Sequence, residues 1–206
     1  MKKRKSIKAI YITPNRQYPT TVTLSLQRRL ALIQLAKQYG FTIIEDDYDN
    51  EFHFGYRPIL PLSSTKELGN YVYIGTMSKM VAPALRIGYL ASDMPLLTEK
   101  IAELRKIIDV QGDSIMEQAV LQLIKDGTIK RHIKKASGYY KAKMDSTVAL
   151  LDKYLKHKAA YTVPEAGLAF GIQPYQEINW AVLAQKMANK GIIIHTHPIA
   201  IVTITM

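Results

Sequence analysis

Apolar residues fall first in short blocks separated by amphipathic stretches and then, past Pro95, in longer stretches of helical period. Residues 7–13 alternate or run apolar and predict a short strand, closed by Pro14-Asn15. Between residues 24 and 39, Leu26, Leu30, Ile33, Leu35 and Ala36 fall mainly on one helical side, and Gly40 supplies the stop. Phe41-Thr42-Ile43-Ile44 predicts an apolar strand that runs into the acidic cluster Glu45-Asp46-Asp47. Residues 71–76 and 86–91 predict two more strands. Apolar strands that alternate with helices imply a central sheet with each strand buried on both faces, an α/β arrangement. Residues 96–110, 114–125 and 129–154 then predict three helices, the last long and strongly basic. Beyond Lys158, strands at 161–163, 168–172, 192–195 and 199–204 and a helix at 180–189 predict a small α+β lobe. The division expected from this pattern is 1–136 and 137–206, with a soft boundary inside the long helix near Ser137.

Composition narrows the class. The 206 residues, 48% hydrophobic and 22% charged, suit a globular chain with one core and a small second lobe. No apolar run approaches the roughly 20 residues of a membrane span. Met1 to Lys5 has the charge of a signal peptide's first region, but the apolar stretch after it is short and meets Pro14-Asn15. A cytoplasmic protein is the expectation. Cysteine is absent, which excludes disulfides, thiolate metal sites and cysteine nucleophiles, and no metal site is expected. The net charge of +11 is concentrated at 2–8 and 130–158. Such blocks can bind nucleic acid. No aromatic-basic interleaving or DNA-reading motif accompanies them, so DNA binding by this chain alone is not expected.

Four stretches carry candidate chemistry. Glu45-Asp46-Asp47-Tyr48 sits at the carboxyl end of an apolar strand, where open α/β sheets place ligands. Strand alternation projects Asp46 and Tyr48 to one side and Asp47 to the other. An acid beside a phenol can hold a protonated ring nitrogen and a neighbouring phenolate oxygen, although the cluster alone reads as readily as a solvated loop. Gly75-Thr76-Met77-Ser78-Lys79 follows a strand directly. A lysine there becomes nucleophilic if its amine is desolvated or gains cationic neighbours, and is otherwise a surface lysine. Arg86 opens the next apolar run, where it can bind a phosphate bidentately with help from the hydroxyls of Thr76 and Ser78. The fourth stretch, residues 13–20, is a polar turn with two prolines.

Taken in order, these stretches resemble the aminotransferase domain of MocR-type regulators, within the fold-type I pyridoxal-phosphate enzymes. That family carries Thr-Pro-x-His-Gln-aromatic-Pro, Glu-Asp-Asp-Tyr-Asp, Gly-Thr-x-Ser-Lys and Pro-x-Leu-Arg-Ile. The matches are residues 13–19, 45–49 and 75–79, and Pro83-Ala84-Leu85-Arg86-Ile87. Residues 127–135 and Tyr140 further resemble the family's basic linking helix, and Gly167-Leu168 its small-lobe strand. The resemblance implies an incomplete fold-type I large domain, a mostly parallel sheet with helices, followed by a truncated small α+β lobe. It implies pyridoxal 5'-phosphate as cofactor, held as an internal Schiff base on Lys79, which would also shuttle the proton. Asp46 would pair with the pyridine nitrogen and Tyr48 with the phenolic oxygen, while Thr76, Ser78 and Arg86 would hold the phosphate. The implied chemistry is class I/II transamination of an amino acid or amine. Fold-type I sites form between subunits, so a homodimer, or a chain supplying the missing half-domain, is expected.

Departures from the pattern matter as well. The winged helix-turn-helix domain has no counterpart here, nor does the first half of the large domain with its glycine-rich phosphate loop and ring-stacking aromatic. Arg16 replaces the histidine of the first turn, and Thr21 replaces the glycine after the Pro-Thr pair. The family's carboxylate-gripping arginine near the carboxyl end is missing, since the last arginine is Arg131. His195 or His197 is a possible substitute, although a polar strand cap is the simpler reading of either. The alternative function is therefore a non-catalytic remnant or an effector-sensing domain of a MocR-type transcription regulator.

Overall fold

The computed structural model describes residues 7–17, 20–48, 51–55, 58–65, 68–110 and 112–192, and the backbone of Ile201–Val202. They fall into two compact units. The first takes in Met1–Asn15, Thr23–Asp49 and Ile59–Ile133, the second Arg16–Val22, Asn50–Pro58 and Lys134–Met206.

In the first unit a four-stranded sheet runs in the order β1 (Ala9–Ile12), β2 (Thr42–Asp47), β3 (Tyr71–Thr76), β4 (Gly88–Ala91). The first three strands are mutually parallel and β4 is antiparallel to β3. Helix α1 (Leu26–Tyr39) joins β1 to β2. The Ser25 hydroxyl caps its start, and Gly40, at φ 67°, ends it with an N–H donated to the Ala36 carbonyl. Ile33 and Ala36 pack with Phe41, Ile43, Leu62 and Leu68 on one face of the sheet, supported by Ile10 and Ile12. Each fully buried side chain of this size contributes about 2 kcal/mol.

The buried stripe of α1 is Arg29, Ile33 and Ala36, whereas Leu26, Leu30 and Leu35 lie outside. The sheet departs from the sequence expectation too. β2 and β3 are the inner strands, but β1 is only partly covered and β4 is exposed along its length, so the strands are not all buried on both faces. Both are edge strands, with a neighbour on one side only among the described residues. β2 itself extends through the acidic cluster to Asp47.

Helices α2 (Pro95–Ile108) and α3 (Ser114–Lys125) follow, and α4 (Thr128–Leu155) begins in this unit. Val120 of α3 and Ile129 of α4 pack around Met80. None of the residues of α2 is buried, and Leu96, Leu104, Ile107 and Ile108 are 53–76% exposed. Among the described residues no helix is long and apolar enough to cross a membrane.

The second unit holds the rest of α4, an antiparallel sheet of β5 (Ala159–Tyr161), β6 (Phe170–Pro174) and β7 (Ile201–Val202), and α5 (Trp180–Ala188). Phe170 is fully buried among Met144, Leu151, Ala159 and Ile172. Two stretches from early in the chain join this unit. Phe54 donates its N–H to the Glu165 carbonyl at 2.8 Å, and Gly167 donates to the Phe52 carbonyl at 2.8 Å. The buried Arg16 lies so close over Gly167 that a Cβ there would come within 2.3 Å of its Nε. Of the strands expected at 192–195 and 199–204, Ile192 is described outside any strand and Ile201–Val202 is described as one. His195 and His197 lie outside the described residues, as do Tyr18, Pro19 and Asp49.

Thr21 adopts φ 62°, where a β-branched side chain is strained by about 1–3 kcal/mol. Thr21→Gly should therefore raise stability by about 1 kcal/mol after glycine's extra chain entropy is subtracted, seen as a rise of about 2–4 °C in the melting temperature. An unchanged or lower midpoint would show that the turn relaxes around the threonine.

Candidate active site

The end of β2 has two chemically different faces, and strand alternation creates both. On the face toward α1, Glu45 is fully buried and accepts the N–H groups of Leu62 and Ser63 at 2.8 and 2.9 Å. Asp47, also buried, accepts from Asn15 Nδ2 at 3.0 Å and from the Tyr73 hydroxyl at 2.9 Å. Arg29 reaches in from α1 and donates to the Leu24 and Leu60 carbonyls, each at 2.9 Å, and to Asn15 Oδ1. Burial pushes the Glu45 carboxyl up, against the two backbone N–H groups that favour its charged form. Burial likewise pulls the Arg29 guanidinium down, opposed by the charges of Glu45 and Asp47. The Tyr73 phenol is pushed well above its ordinary range, by burial first and by Asp47 next. These groups satisfy one another inside the unit and form a closed polar network.

The other face is open. It carries Asp46, and Tyr48 follows directly beyond the strand end. Tyr11 of β1 lies on the same face, because the parallel register pairs it with Ile44, and its hydroxyl donates to Asp46 Oδ2. This bond pushes the Tyr11 phenol up to about 12, with burial and the Asp46 charge adding to the shift. Lys79 Nζ stands 4.4 Å from the centre of the Tyr48 ring.

A turn built from local contacts places Lys79. Met77 donates its N–H to the Ile87 carbonyl and Val81 donates to the Met77 carbonyl, both at 2.9 Å. The Thr76 hydroxyl donates to the Ile87 carbonyl at 3.3 Å and accepts the Ser78 N–H at 3.1 Å. Ser78 and Met80 are buried on either side, and Met80 anchors the turn in the cluster with Val120 and Ile129, so the intervening Lys79 projects outward. Gly75 precedes the turn where the Tyr89 ring crosses the strand, and a Cβ there would stand 2.2 Å from that ring.

The residues expected from the sequence thus divide. Asp46 lies on the face of β2 opposite Asp47, Tyr48 follows just past the strand end, and Lys79 stands at Tyr48. Thr76 is built into the turn through its hydrogen bonds to Ile87 and Ser78, and Ser78 is buried beside it. Arg86 is exposed and caps the 3-10 turn Pro83–Leu85 at φ 49°. The sequence reading missed Tyr11 and the Arg29–Asn15–Asp47 network. Alternation along residues 7–13 sorts Tyr11 from Ile10 and Ile12, but only the register against β2 brings it to Asp46.

Comparison with known proteins gives a consistent result. A family model described as "Aminotransferase class I and II" matches residues 2–204. "Aromatic-amino-acid aminotransferase 1" of Thermococcus litoralis is 29% identical over 191 residues, which are 93% of this chain and 46% of that protein. The "probable rhizopine catabolism regulatory protein MocR" of Rhizobium meliloti is 27% identical over 165 residues, 80% of this chain and 33% of that protein. Among solved structures, a kynurenine aminotransferase of Pyrococcus horikoshii superposes with a TM-score of 0.85 at 26% identity, over 93% of this chain and 47% of that one. The chain spans about half the length of the aminotransferases it matches, and less of the regulator.

Proposed function

Because the chain belongs to the class I and II aminotransferase family, we propose that it supplies the lysine-bearing half of a pyridoxal-phosphate site that transaminates amino acids. The observation that carries this reading is the placing of Lys79 Nζ 4.4 Å from the Tyr48 ring, beyond the strand end whose open face presents Asp46. An amine, a phenol and a carboxylate in this arrangement fit the carbonyl, the phenolic oxygen and the ring nitrogen of that cofactor. When bound, the cofactor supplies an electron sink for the substrate's α-carbon.

The chain's own residues then have distinct tasks. Asp46 holds a protonated ring nitrogen by charge, and Tyr48 donates its hydroxyl to the phenolic oxygen. Lys79 would hold the cofactor through Nζ and, with its amine free, would take the proton from the substrate's α-carbon at Nζ and deliver it to the carbon of the former cofactor carbonyl. Ser78, Thr76 and Arg86 hold the phosphate, with Arg86 as the charged partner. The remainder of the pocket would come from a second copy of the chain or from a chain that supplies the other half-domain. The division into 1–136 and 137–206 and a cytoplasmic location belong to the same reading.

A spectrum tests it. Protein mixed with pyridoxal phosphate should develop a near-ultraviolet to visible band that borohydride fixes on Lys79, and an amino acid should convert that band to the pyridoxamine form. A second reading, an effector-sensing domain, draws on the similarity to the MocR regulator. In that case amino acids would shift the band without converting it.

The two faces of β2 predict opposite phenotypes. Asp46→Ala should lower cofactor affinity tenfold or more with little change in melting, since its carboxylate is bound by an exposed phenol. Asp47→Ala should cost about 1–3 kcal/mol of stability by leaving Asn15 and Tyr73 without their acceptor. Equal cofactor loss in both variants, measured by spectral titration at a temperature where both are folded, would refute the assignment of faces.

A further inference from the structure

We propose that Tyr11 is a positioning residue for Asp46, its phenol holding that carboxylate on the open face of the sheet in the orientation that meets a ring nitrogen. This rests on the reading of that face as a pyridoxal-phosphate site.

The case begins with topology. Tyr11 faces Ile44 across the parallel β1–β2 ladder, so its side chain emerges on the open face one pleat before Asp46. From there its hydroxyl donates to Asp46 Oδ2, which leaves Oδ1 as the oxygen for a ligand. A phenol held near 12 stays protonated across the whole neutral range, so it remains a donor wherever the protein works. The carboxylates on the opposite face differ in kind, since Glu45 and Asp47 spend their oxygens on backbone, amide and phenol groups inside the unit. Tyr11 is 62% exposed, so its bond to Asp46 adds little to folding. A contact that does little for stability yet fixes the carboxylate facing the lysine side belongs to the site rather than to the core.

Tyr11→Phe in the full chain, beside the wild type, Lys79→Ala and Asp46→Asn, tests this through two readouts. In cofactor-free protein, alkaline titration of phenol absorbance should show one tyrosine near 12 that is absent from Tyr11→Phe and moves toward the ordinary value in Asp46→Asn. With pyridoxal phosphate, Tyr11→Phe should bind about 3- to 10-fold more weakly and shift the pH dependence of the bound band, at an unchanged melting temperature. Unaltered affinity and pH profile in Tyr11→Phe, with a Lys79-dependent band in the wild type, would overturn the role of Tyr11 alone. A high-pH phenol that ignores Asp46→Asn would do the same, even if Tyr11→Phe failed to fold. A wild-type band no different from that of Lys79→Ala would overturn the cofactor reading and, with it, the role of Tyr11.

Discussion

Lys79→Ala is expected to abolish covalent capture of pyridoxal phosphate and to leave the fold standing. The turn that presents Lys79 depends on the 2.9 Å bonds from Met77 to Ile87 and from Val81 to Met77, on the Thr76 hydroxyl, and on Met80 in its apolar cluster. None of these uses the lysine amine. What disappears with the side chain is its stacking over Tyr48, worth about 0.5–1 kcal/mol at an exposed position. Borohydride reduction followed by peptide mapping gives the measurement. Wild-type protein should carry one reduced adduct on the peptide containing Lys79, and the variant none at that stoichiometry. An equal adduct on another lysine of the variant would mean that this basic chain reacts with the aldehyde without a site.

The second large effect is structural. Arg29→Met should lower stability by about 3–5 kcal/mol, a major part of the 5–15 kcal/mol of an ordinary domain. Methionine retains much of the volume, so the loss is electrostatic rather than a cavity. It strands Glu45 and Asp47 as buried carboxylates without their cation and leaves the Leu24 and Leu60 carbonyls without their guanidinium donor. The deficit should depend on pH. Burial raises the folded-state pKa of Glu45 above its ordinary 4.5, so the folded chain binds that proton more tightly than the unfolded chain. Stability then falls as pH rises from about 4.5 through the raised value. Removal of the neighbouring cation strengthens this dependence, so denaturant melts of Arg29→Met should lie closer to wild type in mild acid than at pH 8. A deficit under 1 kcal/mol, flat in pH, would show that water replaces the guanidinium.

Both effects involve residues that the sequence renders unequally. The division between Asp46 and its neighbours Glu45 and Asp47 was readable because a strand's period of two is a local property. The order of the motifs was readable because it needs no third dimension, and it singled out Lys79 among the chain's many lysines. Arg29 gave no such signal. In one dimension it is a charged residue beside the apolar stripe of α1, and that stripe points to Leu26, Leu30, Ile33, Leu35 and Ala36 as the core. Helix α1 instead buries Arg29 with Ile33 and Ala36, because Asn15, Leu24 and Leu60 converge on the guanidinium from three separate segments. Tyr11 stayed hidden for a related reason: its role needs the β1–β2 register, which brings its hydroxyl to Asp46, 35 residues away. β4 misled the pattern reading in the opposite sense, since an apolar run implies a cover that the described residues do not supply.

That bare strand bears on how copies of the chain meet in solution. Gly88-Tyr89-Leu90-Ala91 ends the sheet with no lysine, proline or bulge to blunt its outer row of N–H and C=O groups. Such a rim is a template on which another strand can grow, including the same strand of a second molecule. Pairing of that kind grows with concentration, so the exposed rim of β4 ties the solution behaviour of this chain to how densely it is present.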